Sequence, residues 1–157
     1  MDGFVNVIKS DLITAEYDVY WNEDISLLQN AVPRPVLVVV SAWERGETDA
    51  SQLTKMLEAC KLKPEQYNVL QLTEVDKVSW RQLRVRYQPA VVFLIGVLPA
   101  SLGVPVLFRL NEPNNFNETI WLPTISISEL DKYAEVKRQL WTNGMKPVFI
   151  DKKYGGL

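Results

Sequence analysis

Val36-Leu37-Val38-Val39-Val40-Ser41 follows Pro33-Arg34-Pro35 and runs into the polar stretch Trp43-Glu44-Arg45-Gly46-Glu47-Thr48. A continuous run rich in β-branched residues and bounded by turn formers predicts a strand buried on both faces. That is the usual state of a parallel sheet covered by helices. In such folds the loop leaving the carboxyl end of a central strand is the default ligand position.

Downstream of this strand the pattern is regular. Asp49 with Gln52 three residues later reads as a capping box. Leu53, Met56, Leu57 and Cys60 recur at i, i+3, i+4 and i+7, one apolar stripe of a helix. Cys60 lies on that stripe and reads as a buried small hydrophobe rather than a nucleophile. The stretch 62–67 closes a crossover, and Val69-Leu70-Gln71-Leu72-Thr73 predicts a second strand. Ser79 with Gln82 makes a second capping box for a helix over 80–87, with Trp80, Leu83 and Tyr87 inward and Pro89 as its stop. Residues 90–97 are the most apolar run and predict a third buried strand. Gly96 and Gly103 read as turn glycines, because neither sits in a phosphate-binding loop pattern.

Residues 104–110 are expected to be extended, 111–118 to be a polar loop, and 119–124 to return as a strand. Ser128 with Asp131 is expected to open a helix over 129–141 with Leu130, Tyr133, Ala134, Leu140 and Trp141 inward. Asn143-Gly144 would stop it, and Pro147-Val148-Phe149-Ile150 would be extended. The alternation predicts a three-layer α/β domain: a mostly parallel four-stranded sheet with helices on both faces. It would span residues 33–157 as a single domain, preceded by an N-terminal arm over 1–32.

The arm has irregular apolar spacing and is rich in aromatics. It reads either as a strap laid over the sheet or as a peptide that folds on a partner, with Tyr17, Tyr20, Trp21 and Leu28 as the anchoring side chains. Trp43, on the first loop, reads either as a further anchor or as a plug at the sheet edge.

A chain of 157 residues with 47% apolar content suits one domain with a sizeable core. Its formal charge of -2 gives no field for wholesale binding to nucleic acid or acidic membrane. No stretch has the length of a membrane span, and the first residues show no secretory pattern. The single cysteine permits no internal disulfide, so a cytoplasmic location is expected. Asn117-Glu118-Thr119 is then a chance match to a glycosylation site. The sequence has no histidine, which removes the usual general base and the commonest metal ligand. No metal, no cofactor and no catalytic residue set is therefore expected. Carboxylate or lysine chemistry stays open, with Ser41, Trp43, Glu44, Arg45, Glu47, Thr48, Asp76, Thr124, Ser126 and Ser128 at the carboxyl ends of strands. Lys77, Arg81, Arg84 and Arg86 form the clearest basic cluster, either a solvated helix face or a nucleic-acid contact.

Two resemblances follow from the late part of the chain. Leu122-Pro123-Thr124-Ile125-Ser126-Ile127-Ser128-Glu129-Leu130, continuing to Glu135-Val136-Lys137-Arg138-Gln139-Leu140-Trp141, resembles the last strand, loop and helix of the uracil-DNA glycosylase superfamily. In that family a first strand runs into a catalytic loop and a His-Pro-Ser-type loop precedes the last helix. Here the histidine is missing, and Ser41-Ala42-Trp43-Glu44-Arg45-Gly46-Glu47 lacks the family's Asp-Pro pair for placing water. The strand Val36–Ser41, residues 53–73 ending Asn68-Val69-Leu70-Gln71-Leu72-Thr73, and residues 130–141 also resemble the psi subunits of bacterial DNA polymerase III. These are non-catalytic proteins of the same superfamily shape. That resemblance implies a uracil-DNA glycosylase-like fold and an adaptor that joins the clamp loader to a chi-like partner by protein–protein contacts, with the arm engaging the clamp loader. The alternatives are a divergent glycosylase-like enzyme, using Glu44 or Glu47 with Ser126 or Ser128, and a non-catalytic DNA-binding module.

Overall fold

The computed structural model describes residues 28–155. In chain order these form β1 (Val36–Ser41), α1 (Glu47–Ala59), β2 (Tyr67–Leu72), α2 (Trp80–Tyr87) and β3 (Val91–Ile95). Then come β4 (Asn114–Phe116), β5 (Thr119–Thr124), α3 (Ile127–Lys132), α4 (Ala134–Gln139) and a π-helical segment, Leu140–Ile150. The strands make one sheet in the order β2-β1-β3-β5-β4. β1 pairs in parallel with β2 and β3, and β3 with β5, while β4 runs antiparallel to β5.

β1 sits inside the sheet because both its faces are apolar. Val36, Val38 and Val40 point into one core, with Leu53, Met56 and Leu57 of α1 and with Leu140, Met145 and Phe149 of the C-terminal helical segment. Leu37 and Val39 point into the other, with Trp80, Leu83 and Tyr87 of α2. This period of two distributes one strand between two helical layers, as expected for a covered parallel sheet. The second core has an aromatic centre, in which Trp80 meets Trp121 edge-on with ring centroids 4.6 Å apart. The α/β architecture, the mostly parallel sheet and the flanking helices agree with the sequence patterning.

Several expectations are corrected. The sheet has five strands rather than four, because the polar stretch 111–118 contains β4. Asn117 and Glu118, both at positive φ (57° and 61°), form a two-residue turn that lets β4 fold back on β5. Residues 104–110 pair with no strand; Val104 is buried and Leu107 is fully exposed at 100%.

α1 begins at Glu47, not after Asp49, whose carboxylate instead accepts loop N–H groups as described below. The late helix breaks at Tyr133, whose φ of -118° and ψ of 83° are not helical. The break resets the helical phase, so Tyr133 and Ala134 are exposed while Leu130 and Leu140 remain buried. Its N-cap is Ser126, which accepts from the Glu129 N–H, and Ser128 lies inside the helix. Finally, Asn143-Gly144 does not stop the helix and Pro147–Ile150 is not extended. Gly144 is buried within the π-helical segment, where a Cβ would stand 2.6 Å from Leu122 Cδ1 and 3.1 Å from the Asn111 carbonyl oxygen. The glycine permits close packing on β5 rather than a chain reversal.

The second capping box forms as expected: the Gln82 N–H donates to Ser79 Oγ at 3.3 Å, and the Ser79 N–H to Gln82 Oε1 at 3.1 Å.

Gly144→Ala is expected to destabilise the fold by about 1–3 kcal/mol through overpacking. Thermal unfolding followed by circular dichroism would read this as a lowered midpoint. An unchanged midpoint would mean that Leu122 and the 111 carbonyl yield without strain.

Candidate functional site: a crevice at the carboxyl ends of the parallel strands

The chain leaves β1 for β2 on one side and returns from β2 to β3 on the other. The carboxyl ends of β1 and β3 therefore flank the point where the strand order reverses, the usual ligand position in open α/β sheets. A crevice of about 950 Å³ opens there. Ser41 at the end of β1 with Ala42 to Glu44 beyond it, Thr73 to Lys77 after β2, and Gly96 to Leu98 after β3 form its walls. Gly96, at φ 76°, is needed at this junction: a Cβ would meet Ser41 Oγ at 2.5 Å and Ser126 Cα at 3.1 Å. The loops after β1, β3 and β5 thus converge on one backbone atom.

The β1–α1 loop is fixed by a buried carboxylate. Asp49 is 2% exposed. Its Oδ2 accepts the N–H groups of Glu44 (2.8 Å) and Arg45 (3.0 Å), and its Oδ1 accepts from Arg45 Nε at 2.7 Å. Arg45 Nη2 reaches on to Asp131 Oδ2 of α3 at 2.8 Å, and Asp131 Oδ1 accepts from Lys137 Nζ of α4 at 3.2 Å. Burial works against ionisation of Asp49, but the N–H and guanidinium of Arg45 and the Glu44 N–H outweigh it and hold this carboxyl below the ordinary range. The Arg45 side-chain hydrogen bond is also the main reason that the Asp131 carboxyl lies low. The same two carboxylates raise Arg45, Asp131 first and Asp49 second.

A second link joins the loop to the start of α3. Ser128 Oγ donates to Glu44 Oε1 at 2.6 Å, and Ser126 Oγ lies 3.4 Å from Ser128 Oγ. Asp76 folds the β2–α2 loop by accepting from the Thr73 N–H (2.7 Å) and hydroxyl (3.0 Å).

The structure thus brings together Glu44, Arg45, Ser126 and Ser128, and it places Ser41, Trp43, Glu44 and Asp76 on the crevice. Thr124 turns away, donating to Asn111 Oδ1 at 2.7 Å, and Glu47 and Thr48 are exposed in the first turn of α1. Tyr17, Tyr20 and Trp21 lie outside the described residues. Leu28 is 1% exposed and packs in the core shared with α2, so its side chain serves this fold rather than a surface. Trp43 is half-buried, packed against the α1-side core while lining the crevice.

The basic cluster divides. Arg81 and Arg84 are on the exposed face of α2, Arg86 donates to the Leu28 carbonyl at 3.4 Å, and Lys77 faces the crevice. Burial pushes the Cys60 thiol up to about 12, which leaves it inert. Among the described residues no group of His, Cys, Asp or Glu is arranged to hold a metal ion, and no helix is long and apolar enough to cross a membrane.

Sequence reasoning missed two parts of the site. The Arg45–Asp131 pair is 86 residues apart in sequence, and no local pattern announces it. Val75 and Leu98 carry no periodic signal because they stand in loops, yet they form the exposed lips of the crevice. No family model, no curated protein and no solved structure matches the chain.

Asp49→Asn is expected to cost about 1–3 kcal/mol at neutral pH, because one of the two buried acceptor oxygens facing the loop N–H groups and Arg45 becomes a donor NH2 and the negative charge is lost. Asp49 and Asp131 both have depressed folded-state values, so their contribution is present above the ordinary aspartate value of about 4 and lost as pH falls through the lowered values. Urea unfolding at pH 7 and pH 3 should therefore show a smaller acid-induced loss in Asp49→Asn than in the parent chain. Equal losses would disprove the clasp's role.

Proposed function

We propose that the chain is a non-catalytic adaptor of the DNA replication machinery, psi-like, with a uracil-DNA glycosylase-like fold, and that it works through protein–protein contacts. One observation carries the reading. At the end of the sheet where an α/β enzyme keeps its reacting groups, Asp49 and Asp131 are tied up with Arg45, and Glu44 accepts from Ser128. These carboxylates pin loops to one another. The likeness of fold is supported by the meeting of the two loops that the resemblance singles out, after β1 and after β5, at the Glu44–Ser128 contact. The partner in this reading is a clamp-loader or chi-like protein, reached in part through the arm.

A second reading, a divergent hydrolase acting on nucleic acid, draws on the same contact. Glu44 and the Ser126–Ser128 pair stand together beside an open crevice. The neighbourhood is against it, since Glu74 and Asp76 add negative charge where a phosphate backbone would have to enter.

Affinity capture from extract of the source cell, with the full chain and with a version lacking residues 1–25, tests the adaptor. That truncation keeps Leu28 in the core. Clamp-loader subunits held by the full chain and lost with the arm are the expected result; capture of no replication protein by either version refutes it. Incubation with uracil-containing DNA should release no base, and release that Glu44→Ala abolishes would establish the enzyme instead.

A further inference from the structure

We propose that the crevice between the carboxyl ends of β1, β2 and β3 docks an extended peptide segment of a partner protein, one that presents a bulky apolar side chain flanked by lysine or arginine. The proposal rests on the adaptor reading and assigns it a contact surface.

The lips of the crevice are apolar. Val75, in the loop after β2, is 80% exposed, and Leu98, in the loop after β3, is 70% exposed. Half-buried Trp43 stands on the third loop of the same crevice. Single exposed aliphatics are ordinary on a protein surface, but two around one concave opening beside an indole form a place to bury a side chain. The volume of about 950 Å³ admits a side chain with its backbone.

The charge of the walls selects the flanking residues. Glu44, Glu74 and Asp76 line the crevice against one cation, Lys77. Among the described residues, the side-chain partners of Glu44 and Asp76 are the hydroxyls of Ser128 and Thr73, which carry no charge to offset theirs. Asp49 and Asp131 differ in this respect, being paired with Arg45. Three carboxylates around a concave, partly apolar opening focus a negative potential that draws cations and repels anions. A phosphate backbone is therefore a poor occupant. So is this chain's own arm: residues 1–27 carry six acids (Asp2, Asp11, Glu16, Asp18, Glu23, Asp24) and one base, Lys9.

Selection of a random peptide library displayed on phage against the full chain, followed by fluorescence polarisation of the selected peptides, tests this directly. Enriched sequences should combine Leu, Ile, Phe, Met or Trp with adjacent Lys or Arg. Val75→Asp with Leu98→Asp should weaken their Kd tenfold or more, and Glu74→Lys should weaken it and reduce its salt dependence. These positions are exposed, so thermal unfolding should be unchanged in the variants. No enrichment, enrichment of acidic sequences, or a Kd insensitive to both variants overturns the proposal. Failure here with clamp-loader capture intact in the double variant removes the crevice and leaves the adaptor standing. A crevice that selects basic-apolar peptides in a protein that captures no replication partner keeps the crevice and removes the replication assignment.

Discussion

Burial of β1 on both faces, between two parallel neighbours, is the constraint on which the remaining structure depends. Val36 to Val40 are wholly removed from water, which is feasible only if helices cover both sides of the sheet and the neighbouring strands saturate both edges. Parallel neighbours need crossovers, and these carry α1 to one face and α2 to the other. All the strands that pair in parallel then release their loops at the same end. The crevice is a consequence of that arrangement.

Such an end needs its loops fixed, and here the fixing is electrostatic. Asp49 is a carboxylate held almost entirely out of water, which is tolerated because two backbone N–H groups and the Arg45 guanidinium meet it. Arg45 also donates from Nη2 to Asp131, joining the first loop of the domain to its late helices. Gly96 complements this clasp by leaving room for Ser41 and Ser126 to close on the β3 terminus. Charge and close packing thus hold the same loops, after β1 and before α3, through different residues.

The consequence for function is a surface with two kinds of carboxylate. Asp49 and Asp131 are structural, and their two charges are balanced by Arg45 and Lys137. Those with hydroxyl partners, Glu44 and Asp76, stay on the crevice wall with Glu74 and give it its sign. A negative opening with aliphatic lips suits contact with a cationic, apolar peptide better than it suits a phosphate-bearing substrate. This is why the adaptor reading and the crevice assignment support one another, although each has its own test.

The local pattern by itself determined β1, β3, β5, the helix over 80–87 with its capping box, and the division of apolar residues between two cores, because period-two and period-3.6 burial are written in neighbouring residues. Cys60 as a core residue was legible for the same reason. Tertiary contact alone decided the fifth strand, since an Asn-Glu turn closes a hairpin only when β5 is there to receive Asn114–Phe116. It also decided the break at Tyr133, the burial of Gly144 against Leu122, and the use of Asp49 as a loop anchor instead of a helix cap. The candidate site divides in the same way. Glu44, Asp76, Ser126 and Ser128 were visible as polar residues at strand ends, but their contacts, the Arg45–Asp131 clasp and the lips at Val75 and Leu98 join loops far apart in sequence, and only the packed sheet brings those loops to one end.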